Sequence, residues 1–380
     1  MGDLMQTSFI PVLDALPKRK SPLLERFAAL LEPKGPDQIE AMARESRKIT
    51  RQKFGRTMRL FAPLYVSNEC VNNCSYCGFS RDNNAILRVT LKVDQVVREA
   101  CHLLDQGFRN ILLVAGEHPR FVSDGYLEDC IRALRELVPT IGIEVGPMQG
   151  AEYQRMVQAG AEGLVVYQET YDRIVYEQMH TAGPKKDFDW RLACPERGYE
   201  GGFRRIGIGA LFGLSDWRLE ALRLAAHLEH LYKHCWKSTF TVAFPRLRPA
   251  AGGFRPMADF PDWALVQTIC AFRITFPEVG IVLSTREPAP LRDALAPLGI
   301  TLMSAGSHTE PGGYTGAGTD DLHLTVRGRR IEVPAQESKT RAEGQFGIAD
   351  ERSAQEVAEM LRASSLDPVW KDWDPSFLAS

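Results

Sequence analysis

LFAPLYVSNECVNNCSYCGFS, residues 60–80, runs from an apolar, aromatic-rich segment directly into a loop that carries Cys70, Cys74 and Cys77. The apolar part is too short for a helix and reads as a strand at 60–66. The same pattern repeats outward from it. Apolar, mostly branched runs at 110–115, 141–146, 162–167, 204–211, 239–244, 280–285 and 300–305 are predicted strands. Amphipathic stretches at 93–106, 127–137, 151–158, 217–234, 262–276 and 290–298 lie between them, with breaks at Gly107, Gly160 and Gly299. Eight strands in this alternation predict an α/β chain folded as a (β/α)8 TIM-type barrel. In such a barrel the residues that follow each strand gather at the C-terminal mouth, so the cysteine loop is expected there.

Residues 1–58 hold five prolines and one predicted helix at 37–54, and read as an N-terminal helical extension to a barrel spanning 59–305. Residues 306–380 read as a C-terminal extension: a Gly-rich polar stretch at 306–347, a closing helix at 353–364, and the tail PVWKDWDP. The stretch is long enough to form a lid or a partner surface. Exposed tryptophans beside charges in the tail are candidate anchors for a partner.

Composition sets the class. The 380 residues are 44% hydrophobic with a formal net charge of -2, and the basic residues are spread rather than clustered, so nucleic acid is not an expected partner. The N-terminus lacks a continuous apolar segment and no window is apolar enough for a membrane span, which predicts a soluble cytoplasmic protein. Eight cysteines are too sparse for a disulfide scaffold, yet three of them fall within residues 70–77, which suits a metal in a reducing compartment. The other five, at 101, 130, 194, 235 and 270, read as inert thiols. Three thiolates can hold three irons of a [4Fe-4S] cubane and leave the fourth open to an outside ligand such as the amino and carboxylate groups of S-adenosylmethionine (SAM). A zinc knuckle in a non-catalytic protein is the alternative; it needs a fourth ligand, and the nearest histidine, His102, falls in a predicted helix.

The Cys-x3-Cys-x2-Cys loop, with Tyr76 before its third cysteine, resembles that of the radical SAM superfamily. The resemblance implies reduction of SAM to methionine and a 5′-deoxyadenosyl radical, and it carries roles onto matching positions. Ala115-Gly116-Glu117 resembles the Gly-Gly-Glu segment that contacts the methionyl ammonium, with Ala in place of the first Gly. Glu169 resembles the acidic residue on the SAM ribose or ammonium, and Arg191 the arginine on the methionyl carboxylate. Gly209, in IGIGALFGL (206–214), resembles the fifth-strand glycine that lets adenine approach the backbone.

A narrower resemblance covers nearly the whole chain. APLYVSNECVNNCSYCGFS, LLVAGEH, VVYQETYD, FPRLRPA, LSTREP, SAGSHTEPGGYT and PVWKDWD are similar to the 2-iminoacetate synthases, the tyrosine lyases of thiamine biosynthesis. Membership implies cleavage of the Cα–Cβ bond of L-tyrosine to 2-iminoacetate and p-cresol. It also implies thiazole synthase as the acceptor of the product and flavodoxin or ferredoxin as the electron donor. Arg286, just after the seventh predicted strand, is placed to clamp a substrate carboxylate with a planar fork. Ser304 resembles a second carboxylate contact of related lyases, and Tyr65 their neighbour of the substrate amine. Arg246 and Arg248 alternate by two and are expected to face one way into the mouth, one of them in a structural role. His308, Glu310 and Tyr314 are candidates for proton transfer at the phenol. Two relatives stay open at this point, the hydrogenase-maturation tyrosine lyase and a tryptophan lyase; the first carries a second cluster on C-terminal cysteines, and no cysteine follows Cys270 here.

Overall fold

The computed structural model describes residues 21–122, 124–326, 329–332 and 341–370. Its centre is a sheet of β1 (Thr57–Ser67), β2 (Asn110–Ala115), β3 (Thr140–Glu144), β4 (Gly163–Glu169), β5 (Arg205–Ala210), β6 (Thr239–Ala243), β7 (Gly280–Leu283) and β8 (Leu302–Ser304). Neighbours pair in parallel in that order, and β8 returns to β1 with Leu302 opposite Arg59, which closes a (β/α)8 barrel. The two-residue period of β1 separates its faces. Met58, Leu60, Ala62 and Leu64 are fully buried, while Phe61, Pro63 and Tyr65 line the interior of the barrel. The helices follow the complementary period: Val93–Asp105 buries Val96, Ala100 and Leu103 along one stripe. Removing a Val or Leu side chain of that kind from water contributes about 1.5–3 kcal/mol.

Several elements depart from the sequence reading. A helix at Pro22–Leu31 precedes the expected one, which spans Pro36–Phe54. Its signal was present: the Ser21 hydroxyl accepts the N–H of Leu24, and Pro22 occupies the first turn, where its missing N–H costs nothing. Both helices pack on Asp262–Thr275, and Phe27 meets Phe272 edge-on at 4.8 Å. Second, the span 173–201, to which the sequence reading assigns no element, holds helices Arg173–Met179, Phe188–Leu192 and Cys194–Gly201. Third, Asp367–Val369 adds a strand outside β1, and the Trp370 ring packs edge-on against Phe108 at 5.3 Å. Trp370 therefore serves the chain's own barrel and is no free docking anchor; the rest of the tail lies outside the described residues. Among the described residues no helix is long and apolar enough to cross a membrane.

The end of β8 is held by an ion pair. Arg292, with its side chain fully buried, donates to Asp350 and to the Ser304 carbonyl oxygen. Removing Arg292 leaves Asp350 to Arg352 alone, which donates to it at 2.8 and 2.9 Å, and strips the Ser304 carbonyl of its buried donor. Arg292→Met is expected to destabilise the protein by about 1–3 kcal/mol, read as a fall in the urea midpoint. A midpoint equal to wild type would show that the pair does not hold the barrel closed.

Candidate active site

Residues 68–81 form a loop above β1 that is tied from several directions. Arg88, 1% exposed, donates to the carbonyl oxygens of Asn68, Phe79 and Ser80. The Val71 N–H reaches the Glu117 carbonyl at 2.8 Å, and the Gly78 N–H reaches the Gln345 carbonyl at 3.0 Å. Asn73–Cys74 pairs antiparallel with His180–Ala182. Glu69, preceding the first cysteine, accepts from His323 and Thr325 of the strand His323–Val326, both at 2.7 Å. The cysteines are thus carried on a pre-shaped loop.

Cys70, Cys74 and Cys77 line one cavity of about 580 Å³. Burial pushes the Cys77 thiol up to about 11 and raises the Cys74 thiol further, so bare thiolates are disfavoured there and need positive charge close by. Among the described residues no three His, Cys, Asp or Glu side chains converge on a single metal ion. A mononuclear zinc site asks for such convergence, whereas a cubane takes each thiolate on a different iron. The donor set fits a cluster.

The same cavity is lined by Gly116, Glu117, Glu169, Lys185 and Arg191. Gly116 is forced by space, since a Cβ there would fall 2.2 Å from the Glu69 carbonyl oxygen. Glu117 accepts from the Asn72 amide at 2.7 Å. Glu169 ends β4 at a register shift with φ of 72°. A left-handed glutamate costs about 1–3 kcal/mol and is kept where a side chain must be re-aimed. Here it points the carboxylate at Lys185, at 2.7 Å, and Arg191, at 3.4 Å. Burial raises its pKa, but the two cations outweigh burial and hold the carboxyl below its ordinary range. Arg191 also donates to the Tyr167 carbonyl at 2.7 Å. The Tyr76 hydroxyl meets His180 at 2.7 Å, and its ring lies 5.6 Å from the Lys185 ammonium.

A second cavity of about 730 Å³ adjoins it, lined by Tyr65, Glu144, Tyr167, Arg286, Ser304 and Phe346 among others. Its floor is apolar and aromatic. Arg286 is half-buried and lines this cavity and the adjoining third part of the mouth. Phe346 covers its guanidinium at 3.3 Å, and its one side-chain hydrogen bond among the described residues is a 3.4 Å contact with the Arg246 carbonyl. Burial lowers its pKa. The Ser304 hydroxyl accepts the Thr285 N–H at 3.2 Å, and the Tyr65 hydroxyl donates to Gln345 at 2.8 Å. Burial raises Tyr65 well above the ordinary phenol value, so it stays neutral.

Other expected residues fall elsewhere. Arg246 is absorbed by Glu287 and Asp262, the latter at 2.7 Å, so it is structural. Arg248 lines a third part of the mouth, beside Tyr76 and Arg286, with its Nε buried and unpartnered. A Cβ on Gly209 would fall 2.7 Å from the Ala243 carbonyl oxygen and 2.8 Å from the Tyr167 ring, so this glycine makes room for Tyr167. His308 pairs with Glu310 at 3.1 Å, and the Tyr314 hydroxyl donates to the Pro63 carbonyl. None of these three lines the cavities described. Sequence reasoning missed Lys185, Glu144 and Gln345. Glu144 was findable as the polar last residue of an apolar strand; Lys185 and Gln345 carry no local signal.

Comparison with known proteins agrees with this architecture. Residues 64–225 match the radical SAM superfamily model, and residues 243–367 match the biotin and thiamin synthesis associated domain. The chain is 43% identical to 2-iminoacetate synthase of Escherichia coli (strain K12) over 91% of this chain and 86% of that protein. It is 42% identical, with the same coverage, to 2-iminoacetate synthase of Salmonella typhimurium. The structure superposes on the FeFe-hydrogenase maturase HydG from Carboxydothermus hydrogenoformans with a TM-score of 0.81 and 34% identity, covering 96% of this chain and 80% of the other. With a closed barrel, a three-thiol loop at its mouth and identity sustained along almost its whole length, the chain belongs to the 2-iminoacetate synthase family of radical SAM enzymes.

Proposed function

We propose that this chain splits the Cα–Cβ bond of L-tyrosine to 2-iminoacetate and p-cresol, using one [4Fe-4S] cluster on Cys70, Cys74 and Cys77 and one SAM. The observation that carries the reading is the pairing of two cavities at one mouth, one lined by the three thiols and the other by a half-buried arginine with an unspent fork. When bound at Cys70, Cys74 and Cys77, a reduced cluster would supply the electron that splits SAM into methionine and the hydrogen-abstracting 5′-deoxyadenosyl radical.

The chain's own residues do the rest. Glu117, Glu169, Lys185 and Arg191 offer both charge signs to the amino, carboxylate and ribose groups of SAM, and Tyr76 packs beside them. Arg286 takes the tyrosine carboxylate in a planar fork, with the free hydroxyl proton of Ser304 beside it. Phe61, Leu112 and Phe244 give the phenol ring an apolar wall that excludes water and stray hydrogen donors. Arg248 adds positive charge on the cofactor side, and Tyr65 faces the amine.

Flavodoxin or ferredoxin is the proposed electron source, and thiazole synthase the proposed recipient of the product. Residues 271–380 carry no cysteine that could hold a second cluster and break the imine down in place. Without a recipient, 2-iminoacetate hydrolyses in water to glyoxylate and ammonia. Anaerobic incubation with SAM, reductant and tyrosine should therefore yield p-cresol and glyoxylate in equal amounts from protein holding about four irons per chain. About eight irons with release of carbon monoxide or cyanide would refute the reading.

A further inference from the structure

Two residues line all three parts of the mouth, Glu144 at the end of β3 and Gln345 on the segment that crosses above it. Glu144 is the polar bottom of the junction between the thiol cavity and the Arg286 cavity. The other carboxylates of the mouth are engaged: Glu117 by Asn72, Glu169 by Lys185 and Arg191, and Glu287 by Arg246. Glu144 makes no hydrogen bond and no ion pair with the described residues. Arg286, Arg191, Lys185, Glu169, Tyr65 and Tyr167 all face it at longer range.

An enclosed carboxylate without a partner is costly unless a ligand completes it. Arg286 poses the same requirement with the opposite sign on the same cavity wall. One free cation and one free anion facing one apolar cavity are complementary to a zwitterion, the form of an α-amino acid. The anion is also the group shared with the thiol cavity. A nitrogen held by it would be the substrate atom nearest the place where hydrogen is abstracted.

We propose that Glu144 anchors the α-ammonium of the substrate at this junction and takes one proton from it, presenting a neutral amine to the radical; this rests on the tyrosine-lyase reading above. In the proton step an N–H bond breaks, its electron pair stays on nitrogen, and an O–H bond forms on the carboxylate; nothing is oxidised or reduced. Burial, with Glu169 adding to it, pushes Glu144 up to about 7 against the pull of Arg286, Arg191 and Lys185, so the carboxyl can hold that proton near neutral pH.

The test uses anaerobically reconstituted holoprotein, full chain, as wild type, Glu144→Gln and Glu144→Asp. Tyrosine is compared with 3-(4-hydroxyphenyl)propionate, which lacks the amine. In wild type, tyrosine should bind about ten- to a hundredfold more tightly than the analogue, the span expected for one charged hydrogen bond in an enclosed site. Glu144→Gln should raise KM for tyrosine by about that factor, leave affinity for the analogue unchanged, and release 5′-deoxyadenosine in excess of p-cresol. Glu144→Asp should recover part of the coupling, and the change in the cluster's electron paramagnetic resonance on SAM addition should match wild type in every variant. Equal wild-type affinity for tyrosine and analogue would overturn the proposal even if no variant folds. So would unchanged KM and coupling in Glu144→Gln, or weakened SAM binding with intact tyrosine affinity, which would give Glu144 to the cofactor. Wild type that binds tyrosine but makes no p-cresol would overturn the lyase reading and this assignment together, whereas the other adverse results leave that reading standing.

Discussion

Cys74→Ala is expected to lose the cluster and, with it, reductive cleavage of SAM down to the uncatalysed background, a fall of about a thousandfold or more. The same result is expected for Cys70→Ala and Cys77→Ala, because a cubane that must keep one iron open for SAM has no spare protein ligand. The structure makes the experiment clean. The loop is held by Arg88, by the Glu117 and Gln345 carbonyls and by the pairing of Asn73–Cys74 with His180–Ala182, none of which uses a thiol. Losing one sulfur should leave the loop and barrel folded, with far-ultraviolet circular dichroism unchanged in the apoprotein. Iron and acid-labile sulfide per chain, followed with 5′-deoxyadenosine formation, are the measurements. Retention of 5′-deoxyadenosine formation above background in any one variant would remove that cysteine from the ligand set.

How much of this was legible follows from the range of the forces involved. The barrel was readable because a buried parallel strand such as NILLVA must be apolar on both faces, which is a local property of residues 110–115. The cysteine loop was readable because three thiolates on one loop have few other uses. Where the polar wall of the mouth is built by contacts across the chain, the reading ran out. Arg246 and Arg248 alternate by two in sequence, but Glu287 and the helix-starting Asp262 arrive from later in the chain and claim only the first. Gly209 also makes room for the Tyr167 ring from the neighbouring strand, a contact that leaves no mark in the local pattern. Gln345 lies 41 positions beyond the last barrel strand and reaches the mouth through hydrogen bonds to Tyr65, Gly78 and Thr309. Glu169 was singled out, whereas its left-handed backbone was not, because a bulge is set by the register of β4 against β5 and leaves no mark in composition.

Arg286→Met is expected to move affinity and stability in opposite directions. The guanidinium lies against Phe346 and makes one long hydrogen bond, so among the described residues its charge has no carboxylate in contact, with Glu169 and Glu144 acting only at longer range. That arrangement opposes folding, since a charge removed from water is compensated only when a partner completes it. An unbranched apolar side chain of similar length fills the same space and removes the desolvation cost, so the thermal midpoint of the ligand-free protein should hold or rise. Tyrosine binding should suffer, because its carboxylate then enters the cavity with no cation to meet it. Losing an enclosed, charge-assisted contact of this kind costs about 2–4 kcal/mol, or roughly thirty- to a thousandfold in affinity. SAM cleavage should persist slowly and without p-cresol, since Glu169, Lys185 and Arg191 stay in place on the cofactor side. Arg286→Lys should rescue little, because an ammonium cannot reproduce two parallel N–H donors. Apparent tyrosine affinity and the thermal midpoint, measured on the same preparations, decide the matter. Unchanged affinity would take the carboxylate clamp away from Arg286, and a lowered midpoint with lowered affinity would make it a structural residue instead.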